Sequence, residues 1–207
     1  MGGATIAGRL DRYLRERFQR GIHEFERVLD WGSGSARVTQ HLLRLNPNTW
    51  GADVDKDNVE WCNRNIRADR FHAVNLNPPM PFGPATFDLI TGISIFTHLS
   101  EQNQFLWLRE LARITKPGGI VLASVHGFRA LAYNRLSTEI GERLVRDHFV
   151  VFGTNDDMRG YIDDDDYYLN VQHSPGYIFA KWSSCFEIVD IVPVLAVPQD
   201  VVVMRKR

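Results

Sequence analysis

One stretch limits what this chain can fold into. Val28-Leu29-Asp30-Trp31-Gly32-Ser33-Gly34-Ser35-Ala36 is a short apolar run that breaks into a glycine turn and leads into a segment marked by Val38, Leu42 and Leu45 at helical spacing. Glycines there let the backbone turn tightly and keep side chains away from a ligand that approaches it. The same alternation recurs downstream. Strands are predicted at 49–54, 71–74, 87–90 and 120–125. Helices are predicted after Asp55, with Val59, Cys62 and Ile66 inward, and after Ser100, with Phe105, Leu108, Leu111, Ala112 and Ile114 on one face. Asn46-Pro47 and Lys116-Pro117-Gly118-Gly119 supply stop signals. Alternating strands and helices of this length indicate a parallel α/β sheet.

The rest of the chain is less regular. Leu10, Tyr13, Leu14 and Phe18 mark an amphipathic helix ahead of the main fold, with Arg12, Arg15 and Arg17 on its other face. Residues 150–172 are polar and tyrosine-rich and contain Asp163-Asp164-Asp165-Asp166. Two final strands, Phe186 to Val194 and Val201 to Arg205, are close enough to form an antiparallel pair. The organisation expected is one domain over 1–207: an N-terminal helix or lid at 1–23, a ligand-binding core at 24–127, an insertion at 128–180 and a strand pair at 181–207.

Composition removes several function classes. With 24 Lys plus Arg, 25 Asp plus Glu and a formal charge of −1, no basic footprint for nucleic acid is present. No apolar run reaches the roughly 18 residues of a membrane span, and Met1-Gly2-Gly3-Ala4 is not a signal peptide. A cytoplasmic protein is therefore expected. Two cysteines, Cys62 and Cys185, give neither a disulfide framework nor a Cys-based zinc site. The four aspartates read as a solvated turn, because adjacent carboxylates on an extended chain diverge where a metal needs them to converge. No metal site is expected.

The glycine turn has its own grammar. A dinucleotide fingerprint needs a third Gly or Ala where Arg37 stands, and a phosphate-binding P-loop needs a Lys that is absent. The spacing that fits is acid-x-G-x-G-x-small, with Asp30, Gly32, Gly34 and Ala36. Asp53 lies 21 residues after Gly32 at the end of the next strand, where a carboxylate can accept from both hydroxyls of a ribose. Asp55 has Lys56, Asp57 and Asn58 after it and reads instead as a helix N-cap.

Four segments together resemble the class I S-adenosylmethionine-dependent methyltransferases of the small-molecule type: VLDWGSGSA at 28–36, WGADVDKDNVEWC at 50–62, PFGPATFDLITGISIFTHLS at 81–100 and LRELARITKPGGIVLASVHG at 108–127. The resemblance implies a doubly wound, seven-stranded Rossmann-like sheet, six strands parallel and one antiparallel. It also implies S-adenosyl-L-methionine as cofactor, and methyl transfer to an oxygen or nitrogen of a small-molecule acceptor. Asp30, Trp31, Gly32, Ser33, Gly34, Asp53, Val54, Asn75, Leu76 and Ser94 fall on its cofactor-binding positions. Two departures stand out. Ala36 replaces a common Gly, and Asn75 replaces a common Asp, though its amide oxygen can still accept from an adenine amino group.

A general base for such a transfer would be a histidine. His126 at the end of the fifth strand, His98 after the fourth and His173 in the lid-like region are the candidates. Tyr161, Tyr167 and Tyr168 would line an acceptor pocket or pack a loop. Trp31 would cover the cofactor or pack beneath the helix, while Trp107 and Phe105 are assigned to core or interface. The N-terminal helix would close over the cofactor, with Tyr13 or Arg12 reaching the donor's carboxylate, or else present a solvated basic face. Competing readings are a methyltransferase-like binding module without catalysis, and a nicotinamide-dependent oxidoreductase. Oligomeric state is left open.

Overall fold

The computed structural model describes residues 2–154, 167–196 and 198–207. Helix α1 (Gly3–Phe18) precedes an alternating run of β1 (Val28–Trp31), α2 (Thr39–Leu45), β2 (Thr49–Asp53), α3 (Lys56–Asn65), β3 (Phe71–Ala73), β4 (Phe87–Gly92), α4 (Glu101–Ile114) and β5 (Thr115–Val125). After it come α5 (Phe128–Tyr133), α6 (Thr138–Asp147), β6 (Phe149–Thr154), β7 (Leu169–His173), α7 (Pro175–Lys181), β8 (Glu187–Ala196) and β9 (Gln199–Arg205).

Seven strands form one sheet in the order β3-β2-β1-β4-β5-β9-β8. β1 pairs in parallel with β2 and β4, and β4 with β5, whereas β9 runs antiparallel to both of its neighbours. Six strands therefore share a direction and β9 opposes them, as the resemblance implied. Strand order reverses beside β1, so the crevice beyond the carboxyl ends of β1, β2 and β4 is where a ligand belongs.

Apolar periodicity explains the layers. β1 and β4 are buried along their whole length, as strands covered on both faces must be. One face carries Trp107, Leu108 and Leu111 of α4 with Ile178 of α7 and Trp182. The other carries Ile6, Leu10 and Leu14 of α1 with Leu42 of α2. Burying each such side chain contributes roughly 1.5–3 kcal/mol. The N-caps are where the sequence places them: Asp55 accepts from the Asp57 and Asn58 amides, and Ser100 accepts from the Asn103 amide.

Two regions differ from the sequence reading. Residues 116–119 were expected to form only the turn that ends α4; they already belong to β5, with a register shift against β4 between Phe87 and Leu89. The region read as a polar insertion contains β6 and β7, which pair as a separate antiparallel ribbon. Its alternation is hidden because Val171, Gln172 and His173 of β7 are all buried, so that polar side chains stand inside where a half-buried strand would show them outside. The tetra-aspartate stretch and Tyr161 lie outside the described residues.

Candidate functional site

β1 ends on Trp31, and the chain then turns through two left-handed glycines, Gly32 at φ +76° and Gly34 at φ +49°. A Cβ on Gly32 would meet Ile95 Cδ1 at 2.1 Å, whereas one on Gly34 would meet nothing within 4 Å. Gly32 is thus bare so that the segment after β4 can lie across it, and Gly34 is bare toward open space. Ala36 also has φ +61° and is fully buried. It adopts the conformation that a Gly would take more cheaply.

Beside this turn is a cavity of about 350 Å³, within the range of small-molecule sites. Asp30, Trp31, Gly32, Ser33 and Gly34 form its floor, and Asp53, Val54, Asp55 and Asn58 form the side toward β2 and α3. Val74 and Leu76 add an apolar wall after β3, and Ile93, Ser94 and Ile95 add another after β4. Leu99, Trp107, Tyr167 and Tyr168 close the far end.

The carboxylates in this cavity differ in what they can still do. Asp30 is buried and accepts from Thr39 Oγ1 and Thr91 Oγ1, both at 2.7 Å. Burial raises its pKa to about 6 against the pull of those two hydroxyls. Its oxygens staple β1 to β4 and α2, so it braces the turn as well as lining the cavity. Asp53 accepts from the Gly34 amide at 2.6 Å and from the Asp55 amide at 2.9 Å, one on each oxygen. A carboxylate has about four lone-pair sites, so each Asp53 oxygen can take a further donor from a ligand. Burial raises the Asp53 pKa too, opposed by the backbone amides. Ser33 Oγ is buried without a hydrogen-bond partner, which leaves a polar atom for a ligand to satisfy.

Of the cofactor positions implied by the sequence, nine line the cavity and Asn75 does not. Asn75 is exposed between Val74 and Leu76, which point in. Alternation along the extended chain after β3 sends the middle side chain outward. Trp31 stands between the cavity and α4. It lines the cavity and packs 4.9 Å from Trp107 and 5.4 Å from Phe96. Trp107, assigned to core or interface, reaches the cavity as well. Helix α1 contributes no lining residue. Tyr13 donates to Asp190 of β8 at 2.9 Å, and Arg12 is exposed.

The three histidines come together beside the cavity, not in its lining. His98 stacks on Tyr168 at 4.8 Å between ring centroids and faces His126 at 6.1 Å. Its Nδ1 lies 3.1 Å from the Leu169 carbonyl. A carbonyl can only accept, so Nδ1 carries the proton and Nε2 is the basic nitrogen. His126 is buried, and desolvation together with the neighbouring His98 lowers its pKa to about 4. His173 is fully buried, and its Nε2 donates to Gln104 Oε1 at 3.1 Å among Phe149, Tyr177 and Trp182. It is part of the packing of β7 and α7. Tyr167 ties the far end together, accepting from Trp107 Nε1 at 3.0 Å and donating to the Leu76 carbonyl. Among the described residues no cluster of His, Cys, Asp and Glu could hold a metal ion, and no helix is long and apolar enough to cross a membrane.

A family model described as a methyltransferase domain matches residues 29–123, the stretch that builds the floor and both walls. The match supports the resemblance to the class I S-adenosylmethionine-dependent methyltransferases that the sequence carries. The chain is similar to ubiquinone biosynthesis O-methyltransferases. It is 26% identical over 111 residues to the protein of Maricaulis maris, covering 50% of this chain and 42% of that protein. For the Caulobacter sp. protein the figures are 24% over 143 residues, 63% and 53%. The chain thus spans about half the length of these curated relatives. The fold is shared with 1,6-didemethyltoxoflavin-N1-methyltransferase of Burkholderia thailandensis, solved with S-adenosylhomocysteine bound. The TM-score is 0.66 at 16% identity, covering 98% of this chain and 78% of that one.

Proposed function

We propose that this methyltransferase domain binds S-adenosylmethionine in the cavity beside Gly32 and methylates an oxygen or nitrogen of a small-molecule acceptor. The observation that carries the reading is Asp53, whose two oxygens each hold one backbone amide and retain room for one hydroxyl of a ribose diol. Val54, Val74 and Leu76 offer an apolar slot suited to a base, and Ser33 Oγ waits for a polar partner. The cofactor would supply an electrophilic methyl carbon on sulfur. The residues of the chain hold and orient the reactants, which can account for several kcal/mol of the barrier.

The acceptor side is read from the far end of the cavity. Leu99, Trp107, Tyr167 and Tyr168 carry no formal charge and suit a neutral, planar molecule. Similarity to proteins named as a ubiquinone biosynthesis O-methyltransferase and a 1,6-didemethyltoxoflavin-N1-methyltransferase supports a small-molecule acceptor at oxygen or nitrogen. Of the histidines, His98 is the best placed to take the acceptor's proton. Its Nδ1–H is fixed on the Leu169 carbonyl, and its ring stacks on a residue of the cavity wall. His126 lies deeper, and its lowered pKa makes it a weak base near neutrality.

Calorimetric titration with S-adenosylhomocysteine, with NADH in parallel, tests the reading. Binding of the first alone is expected, and Asp53→Ala is expected to weaken it about tenfold or more, or about 1.4 kcal/mol. Unchanged affinity in Asp53→Ala would remove that carboxylate from the site. Binding of NADH alone would replace a methyltransferase with a nicotinamide enzyme.

A further inference from the structure

We infer that Gln199 and Ser124 are positioning residues that aim the Ser94 hydroxyl into the cavity as a hydrogen-bond donor to the bound cofactor. The inference rests on the methyltransferase reading of that cavity. Ser94 follows β4, lines the cavity and has φ +63°. That conformation is unfavourable for a residue with a side chain, and such outliers persist only where the surroundings impose them.

Here the surroundings are two buried side chains from other strands. The Ser94 amide donates to Ser124 Oγ of β5 at 2.7 Å. Ser124 is fully buried, so its own hydroxyl proton needs an acceptor, and Gln199 Oε1 of β9 lies 2.6 Å away. That bond fixes the orientation of the Gln199 amide. Its Nε2 then lies 2.9 Å from Ser94 Oγ and donates to it. Gln199 is itself only 7% exposed.

The hydrogen bonds thus form a circuit in which the Ser94 hydroxyl proton has two places to go, Gln199 Oε1 or the cavity. Ser94 Oγ accepts from Gln199 and keeps its hydroxyl hydrogen. Among the described residues its recorded acceptor is Gln199 Oε1 at 3.0 Å, which takes the shorter bond from Ser124 and belongs to the same amide that donates to Ser94 Oγ, so that both bonds to this one amide would be bent. A hydrogen-bond-accepting atom of a ligand in the cavity is the better partner. The strand pair that closes the sheet therefore acts on the ligand through Ser94 without touching it.

The test is a double-mutant cycle on S-adenosylhomocysteine affinity. Ser94→Ala and Gln199→Met are each expected to weaken binding about fivefold to tenfold, the worth of a typical hydrogen bond. The double variant should be no weaker than either single one, because both remove the same donated proton. A general loosening of the fold would not produce that non-additivity. Ser124→Ala, which deletes one methylene-bound hydroxyl, gives the same readout if Gln199→Met does not fold. Unchanged affinity in the single variants, or a fully additive loss in the double variant, would overturn the inference alone. Failure of the wild-type protein to bind S-adenosylhomocysteine would overturn the methyltransferase reading and this inference with it.

Discussion

His98→Gln is expected to lower kcat about a hundredfold or more while S-adenosylhomocysteine affinity stays within about twofold. The expectation follows from tautomer and place. The Leu169 carbonyl holds the Nδ1 proton at 3.1 Å, so the second nitrogen is an acceptor before any substrate arrives. Stacking on Tyr168 fixes the ring plane against the cavity wall. Glutamine keeps an amide donor for the Leu169 carbonyl, so β7 should remain docked on the loop after β4, where the Leu169 and Val171 amides donate to the His98 and Thr97 carbonyls. What glutamine cannot do is take a proton near neutral pH. The measurement is steady-state kinetics with an acceptor found by screening, together with calorimetry. Normal turnover in the variant would show that the acceptor needs no base at this position.

The second large effect concerns stability in acid. His126 and His173 bind protons near pH 6.5 in the unfolded chain, but in the folded chain only near 4 and 3. For His173 the geometric cause is plain. Its Nε2–H donates to Gln104, whose amide is held by the Leu99 carbonyl at 2.9 Å, and its Nδ1 is buried with no partner. A proton on Nδ1 would be a buried charge with nowhere to point. Below pH 6.5 the unfolded state therefore holds more protons than the folded state. Each of these histidines then costs about 1.4 kcal/mol of stability per pH unit. Asp30 works in the opposite sense. Its folded pKa of about 6 lies above the unfolded value, so it takes up a proton on the folded side between 6 and 4. Between those limits one histidine is offset and one remains. Stability should fall by about 3 kcal/mol from pH 6 to pH 4 on account of these three groups. Denaturant unfolding of wild type and His173→Gln across that range checks it. The variant should show a shallower acid limb whatever its stability at pH 7. Parallel limbs would mean that His173 is protonated in the folded protein.

Much of the fold was legible because its signals are local. Gly32 and Gly34 after an apolar run, Asp55 before Asp57-Asn58, and Ser100 before a run of apolar residues at helical spacing all state their conformations within a few positions. The floor of the cavity was legible for the same reason, since Asp30 to Gly34 are contiguous and Asp53 ends the next strand. Asn75 shows the limit of such reading. The expectation depended on which way one side chain points just beyond a three-residue strand, and alternation turned it outward. Trp107 and Leu99 were missed as lining residues because their periodicity and composition are those of core. Only the placement of α4 and of the segment leading into it beside the glycine turn makes them walls. Gln199 and Ser124 carried no signal at all. They stand 75 positions apart in the chain and meet only because β9 is inserted beside β5.

That insertion also bears on how the chain must assemble. The strand that comes last in sequence order among the seven lies inside the sheet, between β5 and β8. Until residues 199–205 have been synthesised and are free of the ribosome, β5 has an unpaired edge and β8 has no partner strand. A nascent chain that has completed every helix would still expose a strand edge open to pairing with another molecule. The seven-stranded sheet thus closes only once the strand made last among the seven has reached its place between two made earlier.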